Sequence, residues 1–196
     1  MTVWHCHLAM SLDGKIARAD GSFDWLMPYQ PQDFGSEDFH PGIDAVVMGR
    51  DTYEVERAMA EWPHAGKPVH VVTSRPLAAA PPLVEGLGGD LATLADDLER
   101  RGYRKIGVEG GGKLIRGLIA IGKLDVLEMA IIPLVLGEGI PLFPQGTPEL
   151  PLRLKHCEPK TGGAVHVVYE RRATGVAHHE RRVSPSPWDG RRGRRR

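Results

Sequence analysis

Three segments of the chain gather backbone amides, hydroxyls and cationic side chains in the pattern that holding a phosphate ester requires. The first is Val46-Val47-Met48-Gly49-Arg50-Asp51-Thr52-Tyr53-Glu54, an apolar β-type run that breaks at a glycine and continues as the start of a helix. Gly49 permits a close turn, and the amides of Arg50, Asp51 and Thr52 with the Thr52 hydroxyl can receive an anion at the helix N-terminus. The plainer reading of these residues is a helix capped by Asp51 or Thr52, with Arg50 on the surface. The second segment is Ile106-Gly107-Val108-Glu109-Gly110-Gly111-Gly112-Lys113-Leu114. Three consecutive glycines suit neither a strand nor a helix, so they serve a turn where backbone comes close to something, and with Lys113 behind them a diphosphate fits. The third, Thr73-Ser74-Arg75-Pro76, ends a strand with two hydroxyls and a guanidinium, a set matched to a phosphate monoester.

Other signatures exclude several chemistries. No G-x-G-x-x-G occurs, so the ordinary dinucleotide fingerprint is absent. Gly107 to Lys113 and Gly117 to Lys123 both give G-x-x-x-x-G-K, but Leu114 and Leu124 stand where a P-loop needs a hydroxyl for magnesium, which disfavours a phosphotransferase. The nine histidines show no H-x-x-x-H or H-E-x-x-H spacing, so no metal site is expected, and without a G-x-S-x-G elbow a serine triad is unsupported. Cys6 and Cys157 are too few for a thiolate zinc cluster or a disulfide framework, which points to a reducing cytoplasm. Near the N-terminus, Asp13-Gly14 follows a strand as a turn does, with Asp24-Trp25 further on.

The elements that must position these segments follow from periodicity. Strands are expected at Val3–Met10, Ala45–Met48, Val69–Thr73, Ile106–Glu109, Asp125–Val135 and Val165–Arg171. Helices are expected at Asp90–Arg101, where Leu91, Leu94, Ala95 and Leu98 recur at helical spacing, and at Lys113–Ile121, apolar on most sides. Alternating strands and helices indicate an α/β sheet, whose ligand sits at the C-terminal ends of the strands. The last strand follows Pro151–Gly163 with no helix behind it and returns antiparallel, giving a mixed, mostly parallel sheet. With 41% hydrophobic and 26% charged residues over 196 positions, one globular domain of ordinary size is expected, without need of a metal or disulfide staple.

Charge is unevenly spread. Residues 171–196 hold nine arginines against Glu180 and Asp189, net +7, while the other 170 residues, with 16 basic and 23 acidic side chains, stand at −7. Residues 1–172 are therefore the folded unit and 173–196 a basic, disordered tail, whose functional reading is a nucleic-acid tether and whose plain reading is solvated chain. The opening Met1 to Lys15 lacks a charged leader with a long apolar stretch and reads as a strand, and the most apolar window, Leu127 to Leu136, contains Glu128 and Pro133 and is too short to span a bilayer.

Taken in order, M-S-L-D-G-K-I-A (10–17), D-W (24–25), V-V-M-G-R-D-T-Y-E (46–54), V-V-T-S-R-P (71–76), V-E-G-G-G-K-L (108–114) and P-L-V-L-G-E-G-I-P-L-F (133–143) resemble the dihydrofolate-reductase-like superfamily. The likeness is greatest to the branch related to the C-terminal reductase domain of the bifunctional riboflavin-biosynthesis enzyme. It implies a three-layer α/β fold, a homodimer, and NADPH bound without a Rossmann fingerprint. By that likeness Gly49, Arg50, Asp51 and Thr52 hold one side of the diphosphate, and Gly110, Gly111, Gly112, Lys113 and Leu114 the other. Thr73, Ser74 and Arg75 fall at the adenosine ribose and its 2′-phosphate, and Ala9, Ile16 and Ala17 line the nicotinamide. Asp13 and Glu109 match acidic positions near the substrate, with Asp13 expected to orient it and Glu109 to touch the nicotinamide side or a substrate hydroxyl. Asp24 and Trp25 are placed in a mobile loop over the site.

The expected activity is NADPH-dependent hydride transfer to a small heterocycle or sugar-like carbonyl or imine, of the 5-amino-6-(5-phosphoribosylamino)uracil reductase type. A non-catalytic nucleotide- or flavin-binding module on the same fold is the rival. Two departures narrow the expectation. The chain lacks the P-C-x-x-C of the zinc deaminase, and Met27–His40 offers only Asp33, Glu37 and Asp38, without a helical frame, which disfavours folate.

Overall fold

The computed structural model describes residues 1–35 and 39–172. An eight-stranded sheet runs in the order β5-β4-β3-β6-β1-β7-β10-β9, made of β1 (Val3–Ser11), β3 (Ala45–Gly49), β4 (Val69–Val72), β5 (Val84–Leu87), β6 (Lys105–Gly110), β7 (Val126–Ile132), β9 (Leu152–Pro159) and β10 (Val165–Arg171). The strands from β5 to β7 pair parallel, and β10 is antiparallel to both β7 and β9. The mixed, mostly parallel sheet expected from the sequence is present. A small second sheet pairs β2 (Lys15–Ala17) with β8 (Ile140–Pro141).

Side-chain alternation divides the sheet into two buried faces. On one, Trp4, Cys6, Val47, Ile106 and Val108 pack under helices α3 (Leu91–Arg100) and α4 (Gly112–Ala120), which contribute Ala95, Leu98, Ile115 and Leu118. On the other, Val46, Met48, Val69 and Val71 meet Phe39, Ile43 and Tyr53 of helix α2 (Arg50–Arg57), while Trp25 covers Ala130 and Ile132. Each such large apolar side chain, fully buried, contributes roughly 1.5–3 kcal/mol of transfer free energy. Two faces covered by helices or turns make the three layers. Among the described residues no helix is long and apolar enough to cross a membrane.

Local chemistry sets the element ends. Helix α3 starts where the Asp90 carboxylate accepts the Thr93 amide and stops before Gly102, whose φ of +89° suits a residue without Cβ. Helices α3 and α4 pack closely because a Cβ on Gly117 would come within 2.6 Å of Leu91 Cδ2.

Several expectations need correction. Strand β7 ends at Ile132 rather than Val135, because Pro133 has no N–H to donate to the ladder. Strand β9 occupies most of the segment read as a connection; it is an exposed edge whose charged residues give no apolar alternation. The segment Met27–His40 is not without helix: α1 (Pro31–Phe34) forms one turn, Gln30 and Asp33 closing a reciprocal capping box. Among its named acids, Glu37 and Asp38 lie outside the described residues, as do the tail 173–196 and its nucleic-acid reading.

Candidate functional site

The two glycine corners meet. In the sheet register Met48 lies opposite Gly110, so β3 and β6 end side by side and α2 and α4 begin side by side. A Cβ built on Gly49 would sit 3.6 Å from the Gly111 amide nitrogen and 3.7 Å from the Gly110 carbonyl oxygen. One on Gly111 would sit 3.7 Å from Thr52 Oγ1 and 3.8 Å from Ile16 Cδ1. Gly110 has φ +95°, a conformation that L side chains rarely adopt, and the Gly110–Gly111 peptide is cis. Neither α2 nor α4 has a side-chain cap, and their N-cap positions are Gly49 and Gly111. The Gly112 and Lys113 amides of α4, whose Leu114 amide already donates to the Gly111 carbonyl, thus stand without a side-chain cap beside the uncapped start of α2, with the positive ends of both helix dipoles at one place.

The third segment joins the first through Arg50. Its Nε donates to Glu54 Oε1 at 2.6 Å, and its Nη1 to the carbonyls of Arg75 at 3.3 Å and Pro76 at 3.1 Å. Thr73 Oγ1 accepts the Arg75 amide at 3.2 Å, which tightens the turn. A cavity of about 390 Å³ opens there, lined by Thr73, Ser74, Arg75, Pro76, Gly86 and Gly88 among others. Asp51 and Lys113 are exposed, and Ile16 and Ala17 lie on β2, which brings Ile16 against Gly111.

Four assignments change. Gly112 would direct a Cβ away from the cradle, to 2.5 Å from the Pro141 carbonyl oxygen and 2.8 Å from that of Leu142, so its lack of a side chain serves packing there and only its amide belongs to the helix start. Leu114 is a core residue, 6% exposed, against the α3–α4 face. Trp25 is 6% exposed and held in a 3₁₀ turn (Asp24–Leu26) against Ala130, Ile132 and Ala164, with Ala9 packed alongside. Its side chain is part of the core and does not line an open site. Asp24 is exposed and paired with Arg18, Nε to Oδ1 at 2.7 Å.

The two acids differ sharply. Asp13 accepts the Ser11 hydroxyl at 2.7 Å and the amides of Leu136 and Gly137 at 2.9 Å each. These donors, Ser11 first, hold its carboxyl down at about 2, so it is ionised at neutral pH and ties the end of β1 to the 134–137 loop. Glu109 lies one residue before the glycine corner. Its Oε1 is shielded from solvent and has no hydrogen-bond partner. Burial, aided by the charge of Glu56, pushes its carboxyl up to about 8.

Spacing along the chain misses what folding assembles around that acid. His40, His64 and Glu109 offer one ligand atom each, all within 4.8 Å of one another. They are separated in sequence by loops and strands that no short motif spans. Elsewhere on the sheet, Glu128 takes His5 Nε2 at 2.6 Å and His166 Nε2 at 2.8 Å. Those two contacts draw its carboxyl down to about 2 against the cost of burial.

The strand order and the joined glycine corners define a dihydrofolate-reductase-like fold. A dihydrofolate reductase from Enterococcus faecalis, complexed with NADP(H) and RAB-propyl, superposes with a TM-score of 0.65 at 21% identity, covering 87% of this chain and 97% of that one. Within that fold the chain belongs to the RibD C-terminal domain family, which matches residues 5–166. The uncharacterized protein YwjB of Bacillus subtilis is 34% identical over 84% of this chain and 95% of its own length. A Shewanella sp. PV-4 protein named for riboflavin biosynthesis has a TM-score of 0.78 at 27% identity, covering 88% of this chain and all of that one.

Proposed function

We propose that this protein is a reductase of the RibD type that uses NADPH to reduce a small heterocyclic or sugar-like carbonyl or imine. The observation that carries the reading is the approach of Gly49 to Gly110 and Gly111 with both helix starts uncapped. A diphosphate fits there: the amides following Gly49 and Gly111 donate, the Thr52 hydroxyl adds a further donor, and the absence of two Cβ atoms leaves room. Thr73, Ser74 and Arg75, anchored by Arg50, take the adenosine ribose and its 2′-phosphate. Ile16 and Ala17 on β2, with Ala9 on β1, border the nicotinamide. When bound, the dinucleotide supplies the hydride.

The protein's own work is then to position and to shield. Asp13, ionised and exposed, holds the 134–137 loop through the Leu136 and Gly137 amides and is assigned to orient the substrate. Glu109, one residue before the glycine corner, is assigned to the nicotinamide side or a substrate hydroxyl. Correct placement of the reacting atoms at about 3–3.5 Å is the main requirement of such a transfer. The exposed edge strand β9 is the face we assign to a homodimer, which light scattering on the full chain tests.

Titration with NADPH and NADH, followed by nicotinamide fluorescence, tests the cofactor. Saturable NADPH binding in the micromolar range is expected. Failure to bind either dinucleotide at millimolar concentration overturns the reading, and binding without oxidation across a carbonyl, imine and pteridine panel leaves a non-catalytic module.

A further inference from the structure

We propose that His40, His64 and Glu109 bind a divalent transition-metal ion of the zinc class. Two imidazoles and one carboxylate are the ligand types such an ion takes, and three protein ligands leave a coordination position open. The three ligand atoms stand within 4.8 Å of one another. In a tetrahedral site with bonds of about 2.0–2.1 Å, ligand atoms lie roughly 3.4 Å apart, so the three side chains have to draw slightly closer to hold such an ion.

A second, independent observation points to a ligand. His64 is only 4% exposed, and its Nδ1 is buried with no hydrogen-bond partner. Its other nitrogen, Nε2, lies 2.7 Å from Glu56 Oε2. A carboxylate on Nε2 selects the tautomer that carries the proton there and leaves the Nδ1 lone pair free, the arrangement by which a carboxylate orients and strengthens a histidine ligand. Glu109 Oε1 is likewise buried without a donor. Two buried polar atoms on neighbouring side chains are thus left without hydrogen-bond partners, an arrangement that a bound cation relieves.

Competing explanations are weaker. The cluster of His156, Glu158 and His166 also brings three ligand atoms within 4.8 Å. There, however, the His156 and Glu158 side chains are 51% and 49% exposed, Glu158 is already paired with Lys160 at 2.7 Å, and His166 Nε2 is taken by Glu128. Magnesium and calcium prefer all-oxygen ligands and do not fit a set with two imidazoles. Beside the glycine corner, a zinc-class ion with an open position would polarise the acceptor's carbonyl or imine. That consequence rests on the reductase reading; the binding itself does not.

The test uses the untagged full-length protein, stripped with a chelator and free of dinucleotide. Titration with Zn²⁺ by calorimetry should give one ion per chain at submicromolar affinity, with Mg²⁺ giving none. Co²⁺ should produce visible ligand-field bands and quench tryptophan emission, since the Trp62 ring centroid lies 5.2 Å from that of His64. His64→Ala and Glu109→Gln should abolish the bands, and Glu56→Gln, a positioning change, should weaken binding about 10–100-fold. His156→Ala should change nothing. Circular dichroism checks each fold, and if His64→Ala fails to fold, the half-buried His40→Ala replaces it. No stoichiometric Zn²⁺ binding, or binding lost with His156→Ala and kept with Glu109→Gln, overturns the proposal. Because NADPH titration is measured separately, failure of one reading does not disguise failure of the other.

Discussion

Helices α3 and α4 pack on the same face of the sheet, yet their first turns are built in opposite ways. Helix α3 closes on itself, with Asp90 Oδ2 accepting the Thr93 amide at 3.0 Å and the Thr93 hydroxyl at 3.1 Å. Helix α4 begins after Gly111 with no such cap, as does α2 after Gly49, and those two starts are neighbours. Side-chain caps commonly contribute about 0.5–2 kcal/mol, and a fold that forgoes two of them at one corner keeps those amides for something else. On the proposed function, the contrast separates a helix start that serves stability from two that serve binding.

The sharpest way to break that contrast is inside α4 itself. Gly111→Val leaves a permitted backbone conformation but fills the cradle, and it should weaken NADPH binding by about 100-fold or more while the melting temperature stays close to that of the parent. Fluorescence titration and thermal unfolding together read both effects. Its neighbour should behave in the reverse sense: Gly112→Ala drives a Cβ into the carbonyls of Pro141 and Leu142 and should cost about 1–3 kcal/mol of stability by denaturant unfolding. The folded fraction of that variant should keep most of its NADPH affinity. A smaller change is expected at the far end of the site, where Arg75→Ala should weaken NADPH about 10-fold and NADH less than 2-fold, as loss of one charge-assisted contact to the 2′-phosphate requires.

The smallest effect belongs to the capped helix. Asp90→Ala should lower the melting temperature by about 2–4 °C and leave NADPH affinity unchanged. Its pH dependence has a definite sign. The Thr93 amide and hydroxyl hold the Asp90 carboxyl below the ordinary value, so its contribution is present above the unfolded-state pKa and disappears as pH falls through the folded-state one. Unfolding measured across acid pH should therefore show a shallower loss in Asp90→Asn, which keeps a cap without the charge. An unchanged profile would remove Asp90 from that role.

Much of this was legible in advance, for reasons that particular residues make plain. Helix α3 is announced by Leu91, Leu94, Ala95 and Leu98 and bounded by Asp90 and Gly102, so local chemistry and the buried face agree. The glycine corners could be read because consecutive glycines have few structural uses. Strand β9 could not be found by apolar alternation, because it is an edge whose residues are almost all exposed. Strand β5 is four residues long and contains Gly86, too little signal for periodicity. Gly111 and Gly112 look alike in a string of letters, and only the carbonyls of β8 tell them apart. A tryptophan beside an aspartate in a polar stretch gives no sign of the Ala130 and Ile132 surface that receives Trp25. The trio His40, His64 and Glu109 is tertiary in origin, since a loop turn, a post-helical segment and a strand end each supply one member.

Arg50 holds two backbone carbonyls of the 75–76 loop while paired to Glu54. On the proposed function, anyone wishing to retailor the molecule toward a different dinucleotide can therefore edit Arg75 and change only what its side chain says, since the main chain beneath it is moored from outside. Exchanging Arg50 instead would cast off the loop and disturb the entrance to α2 in one stroke. Selectivity and grip would then fall together, which makes the neighbour, and not the reader of the phosphate, the position to leave alone.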